Sequence, residues 1–266
     1  MAKKRLDVYV TEAFSLDSRQ QAQNYIIQGH VRVCGREERK PGYYLKENDE
    51  VELSAPKKQY VSRGGYKLAQ ALDCFGIDPS GMVCIDAGAS TGGFTDCLLQ
   101  RGALKVYAVD VGRGQIDESL RRDGRVVVME DVNVRYLDSS VIPEKASIVT
   151  ADLSFISLDK VLAVLSGLLD DDGIIVALVK PQFEAGRGKT DRGVVKDVKI
   201  HISVLENAVR YGFDAGLYPV KCVWSPIKGP SGNIEFLMMY SKKETECLIN
   251  AEETAKEAWR SLGGKK

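Results

Sequence analysis

The segment Val83–Asp96 constrains the fold more than any other part of the chain. Its apolar start, Val83 to Ile85, is typical of a strand; Asp86 and a series of small residues and glycines follow. The chain then continues as a helix-like stretch from Phe94 to Arg101. The pattern predicts a strand, a tight loop and a helix start, where glycines allow close approach to a ligand and free N–H groups favour an electron-rich group.

A second strand-like run supports a nucleoside-type cofactor. Val106–Val109 ends in Asp110, eighteen residues beyond Gly92, and a carboxylate at a strand tip can hold ribose hydroxyls in an open α/β sheet. Ser90 stands where the dinucleotide fingerprint G-x-G-x-x-G has its second glycine, so a smaller adenosyl ligand is favoured over NAD. On this segment alone, a purely structural turn explains the glycines equally well.

A hydrolase is a competing interpretation of the same glycines. Gly88–Gly92 matches the G-x-S-x-G nucleophile elbow, and Asp152 and His201 follow in hydrolase order. No HGGG-type oxyanion loop precedes the elbow, and His201 falls within a predicted helix, Asp197–Tyr211. Both observations disfavour a hydrolase.

Composition excludes several other classes of protein. At 266 residues and 44% hydrophobic content, the chain can hold one large domain or a small and a medium one. The most apolar run, Gly173–Val179, is too short to span a bilayer, and no signal-like N-terminal segment is present. The six cysteines form no C-x-x-C pair, so no metal site or disulfide framework is expected. We therefore expect a cytoplasmic protein without a membrane partner.

The first sixty residues predict a separate small α+β module. Ser18 is a suitable cap for a helix from Arg19 to Gln28, which Gly29 would end. Val31–Val33 and Asp49–Leu53 alternate like half-buried strands. Formal net charge is zero over the whole chain, so any affinity for nucleic acid must come from the placement of charge.

The order of residues in Ser18–Gly35 resembles the S4 domain, an RNA-binding module shared by a small-subunit ribosomal protein, pseudouridine synthases and tyrosyl-tRNA synthetases. In that family a helix and the following turn present Arg and Gln side chains to the RNA backbone, and such contacts position a substrate without reading its sequence. The matching RNA-binding candidates are Arg5, Arg19, Gln20 and Arg32, to which we add Arg63 from a basic turn further along.

A polar stretch, Pro56–Tyr60, predicts a linker and a domain boundary near residue 60. We therefore expect an RNA-binding domain at 1–59, a larger domain at 60–245 and a C-terminal tail at 246–266. A charged helix is predicted from Glu244 to Ser261.

Charged residues stand at the ends of several other strand-like runs. Asp152 and Lys180 each end an apolar run, Glu235 begins one, and Lys67 belongs to a predicted amphipathic helix. Strand ends on one edge of a parallel sheet share a crevice, which would bring these groups together. Taken singly, each strand-end residue is also compatible with an exit to solvent, and Lys67 with a surface lysine.

Four motifs together resemble a known family: Gly88–Thr95, Asp152–Ser157, Lys180–Glu184 and Gly232–Phe236. They look like those of the TlyA (hemolysin A) family of FtsJ-like ribosomal-RNA methyltransferases, and the resemblance extends over nearly the whole chain. It implies an α/β fold: a Rossmann-like class I methyltransferase sheet of seven strands with helices on both faces. It also implies S-adenosylmethionine as cofactor, ribosomal RNA or ribosomal subunits as partner, and a catalytic set of Lys67, Asp152, Lys180 and Glu235.

The implied reaction, 2′-O-methylation of ribose, needs such a set. A ribose hydroxyl is a poor nucleophile, and an ordinary lysine, with a pKa of about 10.4, keeps its proton at neutral pH. A second ammonium nearby favours loss of that proton, while carboxylates oppose the loss and hold both amines in place. We expect Lys180 to orient and deprotonate the hydroxyl, with its position fixed by Asp152 and Glu235. Lys67 would complete the charge balance.

Cofactor contacts follow from the same resemblance. The methionine part and ribose should pass four residues of the first loop: Gly88, Ser90, Gly92 and Gly93. Asp110 should take the ribose hydroxyls, Asp131 the adenine amine, and Asp152 both cofactor and substrate. Base-amine methylation is disfavoured because Asp152–Phe155 lacks the prolines of the Asn/Asp-Pro-Pro-Tyr/Phe motif.

The segment Glu184–Gly193 contains Gly-Lys-Thr, which echoes a phosphate loop, but Phe183 occupies the place of the first required glycine. A mobile basic loop beside the active site, able to meet RNA phosphates, is the favoured interpretation, and an ordinary solvated loop fits nearly as well. Two other functions stay open: an RNA-binding or assembly protein without catalysis, and a membrane-active hemolysin. The latter is disfavoured because we find neither a spanning nor a strongly amphipathic membrane segment.

Overall fold

The computed structural model describes residues 4–14, 16, 18–54, 59–186 and 188–263. The chain divides into two compact units, Met1–Gln59 and Tyr60–Lys266. Residues 56–58 of the predicted linker and Arg187 of the predicted basic loop lie outside the described residues.

The first unit packs two helices against a small antiparallel sheet of order β2-β1-β3. Its elements are α1 (Leu6–Ala13), α2 (Arg19–Ile27), β1 (Val31–Val33), β2 (Arg36–Glu37) and β3 (Val51–Leu53). The Ser18 side chain accepts a hydrogen bond from the Gln21 N–H, and Gly29, with φ +82°, follows the end of α2. The predicted helix cap and helix end are therefore confirmed.

A seven-stranded sheet of order β6-β5-β4-β7-β8-β10-β9 forms the second unit. Its strands are β4 (Val83–Ala87), β5 (Lys105–Val109), β6 (Val126–Met129), β7 (Ala146–Ala151), β8 (Leu169–Val179), β9 (Tyr218–Trp224) and β10 (Phe236–Ser241). The strands from β6 to β8 pair in parallel, whereas β10 is antiparallel to both of its neighbours.

Helices cover both faces of this sheet, as predicted. They are α3 (Gly64–Phe75), α4 (Gly93–Gln100), α5 (Glu118–Arg121), α6 (Leu162–Leu168), α7 (Pro181–Glu184), α8 (Val198–Asp214) and α9 (Ala251–Leu262). Successive strand residues point to opposite faces, so Cys84 packs in a core with α3 and α4, while Ile85 packs in a second core with α6, α8 and α9. Within the described ranges, no helix has both the length and the apolar character needed to cross a membrane.

The C-terminal helix begins later than predicted. α9 starts at Ala251 rather than at Glu244, because the Asn250 side chain caps it by accepting a hydrogen bond from the Glu253 N–H. Ala255 and Ala258 are fully buried in the core of the second unit, so this helix is part of that unit.

Candidate active site

Sheet register explains how three charged residues meet at one edge. Phe236 of β10 pairs with Val179 of β8, so Glu235 and Lys180, the next residue on each side, lie beside each other. β7 pairs with β8 in parallel, and Asp152 therefore leaves β7 at the same edge. The expectation from parallel strands is right for two of the residues. Glu235 arrives there because its strand is antiparallel and begins where the others end.

The four expected catalytic residues form two ion pairs. Lys180 Nζ lies 2.5 Å from Asp152 Oδ1, and Lys67 Nζ lies 2.6 Å from Glu235 Oε2. Both lysines and Glu235 are buried. Asp152 thus holds Lys180, as expected. Glu235 was also expected to hold Lys180, but it pairs with Lys67 instead.

Two polar side chains that the sequence did not single out complete this cluster. Lys180 Nζ donates to Ser154 Oγ at 3.0 Å, and Gln182 Nε2 donates to Glu235 Oε1 at 3.2 Å. Because Gln182 lies two residues after Lys180, it connects the two ion pairs. The sequence did carry one signal for Ser154 and Gln182: each lies two residues after a candidate catalytic residue, within the motifs that begin at Asp152 and Lys180.

An aromatic pair, of which one ring is exposed, adjoins Lys180. The Phe155 side chain is 89% exposed, and its ring lies 4.9 Å from the ring of Phe183, centroid to centroid. Lys180 Nζ lies 5.9 Å from the Phe183 centroid. Phe155 has φ +62°, a left-handed conformation that is strained for a bulky residue and concentrates at functional sites. The pair offers a surface on which a planar group can stack.

The loop after β4 passes very close to the end of β7. Gly88 has φ +85°, and a Cβ there would lie 2.5 Å from the carbonyl oxygen of Asp152. A side chain is therefore excluded at Gly88, and the two loops run against each other. Asp86 below them is fully buried and accepts hydrogen bonds from the Thr95 N–H and hydroxyl. Burial raises the pKa of Asp86 to about 6.

Protein atoms fill the space beside the other two glycines of this loop. A Cβ on Gly92 would lie 2.2 Å from Leu120 Cδ1, and one on Gly93 would lie 2.1 Å from Ser62 Oγ. Gly92 and Gly93 therefore permit close packing within the protein. A ligand could contact only the backbone atoms of these two glycines. Ser90 is exposed in a left-handed conformation, φ +47°.

Asp110 ties this loop to the loop after β5. Its Oδ2 accepts a hydrogen bond from the Ser90 N–H and its Oδ1 one from the Gly112 N–H, both at 2.7 Å. Each oxygen keeps a further lone pair for a hydroxyl donor. Val111, the next residue, is apolar and 66% exposed. Asp131, after β6, is exposed, with Oδ2 3.9 Å from Arg113 Nε.

These groups fit an adenosyl cofactor by their chemistry. A carboxylate suits ribose hydroxyls, an exposed apolar side chain suits the face of adenine, and a second carboxylate suits its amine. Three successive loops, after β4, β5 and β6, supply them at one half of the sheet edge. Val111 was missed by the sequence analysis, which considered only polar groups here.

Two of the RNA-binding candidates surround a buried carboxylate in the first unit. Arg5 Nη2 and Arg19 Nη2 lie 3.0 and 2.9 Å from Asp7 Oδ2, and Gln23 Nε2 donates to the same oxygen at 2.9 Å. Burial acts to raise the pKa of Asp7, but the hydrogen bonds from Arg5, Gln23 and Arg19 outweigh it and lower that pKa. Arg5 and Arg19 therefore stabilise the module itself while remaining partly exposed.

The other RNA-binding candidates are more open. Gln20 lies exposed on α2, and Arg32 is the exposed central residue of β1, between two buried valines. Arg63, in the second unit, donates from Nη2 to the carbonyl oxygen of Lys228 at 2.7 Å.

The two alternative motifs have no structural support. Gly188–Thr190 follows α7 and leads into a turn at Asp191–Val194, not from a strand into a helix as a phosphate loop requires. His201 is buried in α8, against the rings of Phe236 and Trp259, and burial lowers its pKa. It is a core residue, which removes the hydrolase interpretation.

The fold and site define a Rossmann-like methyltransferase. The family model for FtsJ-like methyltransferases matches residues 60–242, and the S4 domain model matches residues 4–51. The chain belongs to the TlyA (hemolysin A) family of FtsJ-like methyltransferases, whose methyl donor is S-adenosylmethionine.

Relatives match over most of their length. The 16S/23S rRNA (cytidine-2′-O)-methyltransferase TlyA of Mycobacterium tuberculosis is 41% identical over 255 residues, 95% of each chain. Hemolysin A of Brachyspira hyodysenteriae is 42% identical over 235 residues, 88% of this chain and 98% of that protein. A solved structure from Streptococcus thermophilus, named as a hemolysin, is 40% identical with a TM-score of 0.79, covering 99% of this chain and 98% of that one.

Proposed function

We propose that this protein transfers a methyl group from S-adenosylmethionine to a ribose 2′-hydroxyl of ribosomal RNA. The proposal is supported by relatives named as rRNA (cytidine-2′-O)-methyltransferases and by the presence of an S4 domain in the same chain as the methyltransferase domain. Ribosomal RNA, free or in a subunit, is the proposed partner, and the cytoplasm the proposed location. Residues 1–59 would bind RNA and 60–245 would carry out transfer, together with the helix in 246–266.

The observation that carries the proposal is the two lysine–carboxylate pairs at one sheet edge. Asp152 and Ser154 engage the Lys180 amine from two sides. To act as a base, the amine must first lose one proton to solvent; as a neutral amine it would donate to these two residues and turn its lone pair toward an acceptor hydroxyl. Lys180 then orients that hydroxyl and receives its proton as the oxygen attacks. The Lys67–Glu235 pair balances charge beside it and, through Gln182, fixes the segment that carries Lys180.

The cofactor supplies an electrophilic methyl group on a sulfonium centre. We assign its methionine and ribose portions to the backbone of one loop, at Gly88, Ser90, Gly92 and Gly93. Asp110 would accept from the ribose hydroxyls and Asp131 from the adenine amine. Because the Asp152 backbone lies against Gly88 while its carboxylate holds Lys180, Asp152 connects the cofactor and acceptor sides.

The aromatic pair suits a nucleic acid acceptor. A nucleotide that leaves the RNA stack to bring its ribose to the buried Lys180 would expose its base, and an unstacked base gains about 1–3 kcal/mol from an aromatic partner. Phe155, exposed beside Phe183, can provide that partner next to the amine. The phosphate backbone would be held by Arg5, Arg19, Gln20, Arg32 and Arg63.

The test is transfer of radiolabelled methyl to separated ribosomal subunits from a strain that lacks this protein. Lys180→Ala is the active-site variant. Lys105→Ala is its matched control, because Lys105 also pairs with a carboxylate, Glu144 at 2.6 Å, but at the start of β5 on the opposite sheet edge.

The proposal expects label in RNA with the wild type and Lys105→Ala, none with Lys180→Ala, and resistance of the labelled nucleotide to alkaline cleavage. Label that is lost on alkaline cleavage, or equal label with Lys180→Ala when cofactor binding is normal, would overturn the assignment. No label on either subunit or on naked RNA would point to a binding role.

A further inference from the structure

A two-residue turn near the active site holds an arginine in a strained conformation. The Asp191 N–H donates to the Val194 carbonyl at 2.8 Å, and the Val194 N–H donates back at 2.9 Å. The central residues, Arg192 and Gly193, have φ of +48° and +79°, the signs of a type I′ turn. Glycine, asparagine and aspartate suit such positions, whereas a long side chain at positive φ carries strain. Strained conformations of this kind concentrate at functional sites, which directs attention to the Arg192 side chain.

The buried side-chain amide of Asn233 fixes this turn to the segment that leads into β10. Asn233 is 1% exposed; its Nδ2 donates to the Gly193 carbonyl at 2.8 Å, and its Oδ1 accepts from the Val195 N–H at 2.9 Å. Glu235, two residues after Asn233, pairs with Lys67. The turn at Asp191–Val194 is therefore fixed near the catalytic set by hydrogen bonds.

The Arg192 side chain is available to a ligand. It is exposed, and within the ranges that the structure describes its guanidinium has neither an ion pair nor a hydrogen bond. The adjacent carboxylate of Asp191 is paired with Lys196 at 2.6 Å. Local contacts thus neutralise the nearby acid and leave the arginine cation free.

The sheet order indicates which ligand this cation meets. Asp110 and Asp131 follow β5 and β6, at one end of the strand order, whereas Asn233 and its turn stand beside β8 and β10, on the other side of β4 and β7. Arg192 therefore lies on the acceptor half of the edge, away from the proposed adenosyl contacts. A planar guanidinium there matches a phosphate oxygen pair.

We propose that Arg192 binds an RNA backbone phosphate beside the acceptor ribose and that Asn233 positions it. This inference rests on the proposed function, because it takes RNA as the acceptor. The contact is to the backbone, so it orients the acceptor strand without selecting a base. It differs from the contacts expected of the S4 domain because it acts within the methyltransferase unit, where the orientation of the ribose is set.

The test measures binding of purified ribosomal subunits to the full chain at several salt concentrations. Arg192→Gly removes the guanidinium and suits the positive φ, so folding should not suffer. We expect roughly tenfold weaker binding at moderate salt and a salt slope of log affinity smaller by about 0.7–0.9. Arg192→Lys should keep most of the slope. Arg260→Ala, which removes an exposed arginine on α9, serves as the control and should match the wild type.

Unchanged subunit affinity and salt slope in Arg192→Gly would overturn the inference, as would an equal loss in Arg260→Ala. Methyl transfer is measured on the same samples and separates the two proposals. Wild-type protein that binds subunits without methylating them contradicts the proposed function, while the binding data still decide the role of Arg192. Reduced transfer that is restored at saturating subunit concentration is the expected signature, because Arg192 affects KM rather than kcat.

Discussion

The carboxylate of Glu184 accepts a hydrogen bond from the Ser157 hydroxyl at 2.5 Å. A second bond, from the Leu158 N–H at 2.9 Å, reaches the other oxygen. Glu184 ends the short helix that follows Lys180, and Ser157 ends the segment that follows Asp152. Because Lys180 and Asp152 also pair directly, the two motif segments are joined at both ends. The geometry of the amine therefore depends on a carboxylate outside the reacting set.

Glu184→Ala should remove this second connection. We expect a loss of about 1–3 kcal/mol in unfolding free energy, because the Ser157 and Leu158 donors lose their acceptor in a mostly buried site. Glu184→Gln should retain both bonds, since the Ser157 hydroxyl can rotate to accept from the amide. Urea unfolding and methyl transfer are the measurements, and a Gln variant as impaired as Ala would contradict this account.

The pH dependence of stability separates the same variants. Burial raises the pKa of Glu184, and the hydrogen bonds from Ser157 and Leu158 only partly oppose it. The folded state therefore holds this proton more tightly than the unfolded state, whose carboxyl titrates near the usual 4.5. The stabilisation is complete below that value and is lost as pH rises through the folded pKa. Glu184→Gln should lack this loss. The difference in unfolding free energy between the wild type and Glu184→Gln should therefore change over that same pH range.

The Lys67–Glu235 pair should be costly to break from one side. Lys67→Met leaves a buried carboxylate without its cation, so we expect a loss of about 3–5 kcal/mol in unfolding free energy. The double variant Lys67→Met, Glu235→Gln removes the charge but keeps an acceptor for Gln182, and should recover most of that loss. Both variants should lose methyl transfer. The partly exposed Lys105–Glu144 pair is the control: Lys105→Met should cost less than about 1 kcal/mol. A double variant no more stable than the single one would contradict the buried-pair account.

Asp110→Ala should weaken S-adenosylmethionine binding by at least roughly tenfold. The substitution removes the carboxylate that accepts hydrogen bonds from the Ser90 and Gly112 N–H groups and, as proposed, from the ribose hydroxyls. Isothermal titration calorimetry measures this directly, and subunit binding should be unchanged. Asp123 offers a matched control, since it also accepts a backbone N–H, that of Arg125 at 2.9 Å, but stands before β6 at the opposite sheet edge. Equal effects of Asp110→Ala and Asp123→Ala would remove Asp110 from the cofactor site.

Much of this fold follows from local sequence. Apolar runs located the strands of the methyltransferase unit that carry the site, and Ser18 correctly marked the start of α2. The prediction that Asp152 and Lys180 lie at the same sheet edge followed from the parallel arrangement of their strands. These features depend on periodicity and capping, which neighbouring residues determine.

The pairing within the site could not be predicted in the same way. Whether Glu235 holds Lys180 or Lys67 depends on the register of β10 against β8 and on where α3 packs, and both are set by distant contacts. The left-handed backbone of Phe155 has no propensity signal, because the surrounding structure imposes it. The sequence shows that Arg5 and Arg19 are charged, but it does not show that both surround the buried carboxylate of Asp7.

Phe155→Gly should lower transfer to RNA without lowering stability. Glycine accepts the positive φ freely, so the thermal midpoint should be equal to or above that of the wild type. Removing the ring should reduce kcat/KM for subunits by roughly tenfold, given about 1–3 kcal/mol for base stacking. Phe213→Ala, which removes another exposed phenylalanine on α8, should leave transfer unchanged. Weaker S-adenosylmethionine binding in Phe155→Gly would instead place the ring on the cofactor side.

Asp7→Asn should destabilise the first unit in a pH-dependent way. The Asp7 charge stabilises the fold because Arg5, Arg19 and Gln23 lower its pKa below the usual 3.8. That contribution is complete above the unfolded pKa and is lost as pH falls toward the folded one. Hydrogen exchange of the α1 and α2 amides should therefore be faster in Asp7→Asn by a constant factor between pH 5 and 8, after correction for intrinsic rates, and the difference should shrink below about pH 4. Glu12→Gln, which removes an exposed partner of Lys4, should have little effect. A difference that persists unchanged below pH 4 would show that Asp7 acts by packing alone, and Arg5 and Arg19 would then be free to serve RNA only.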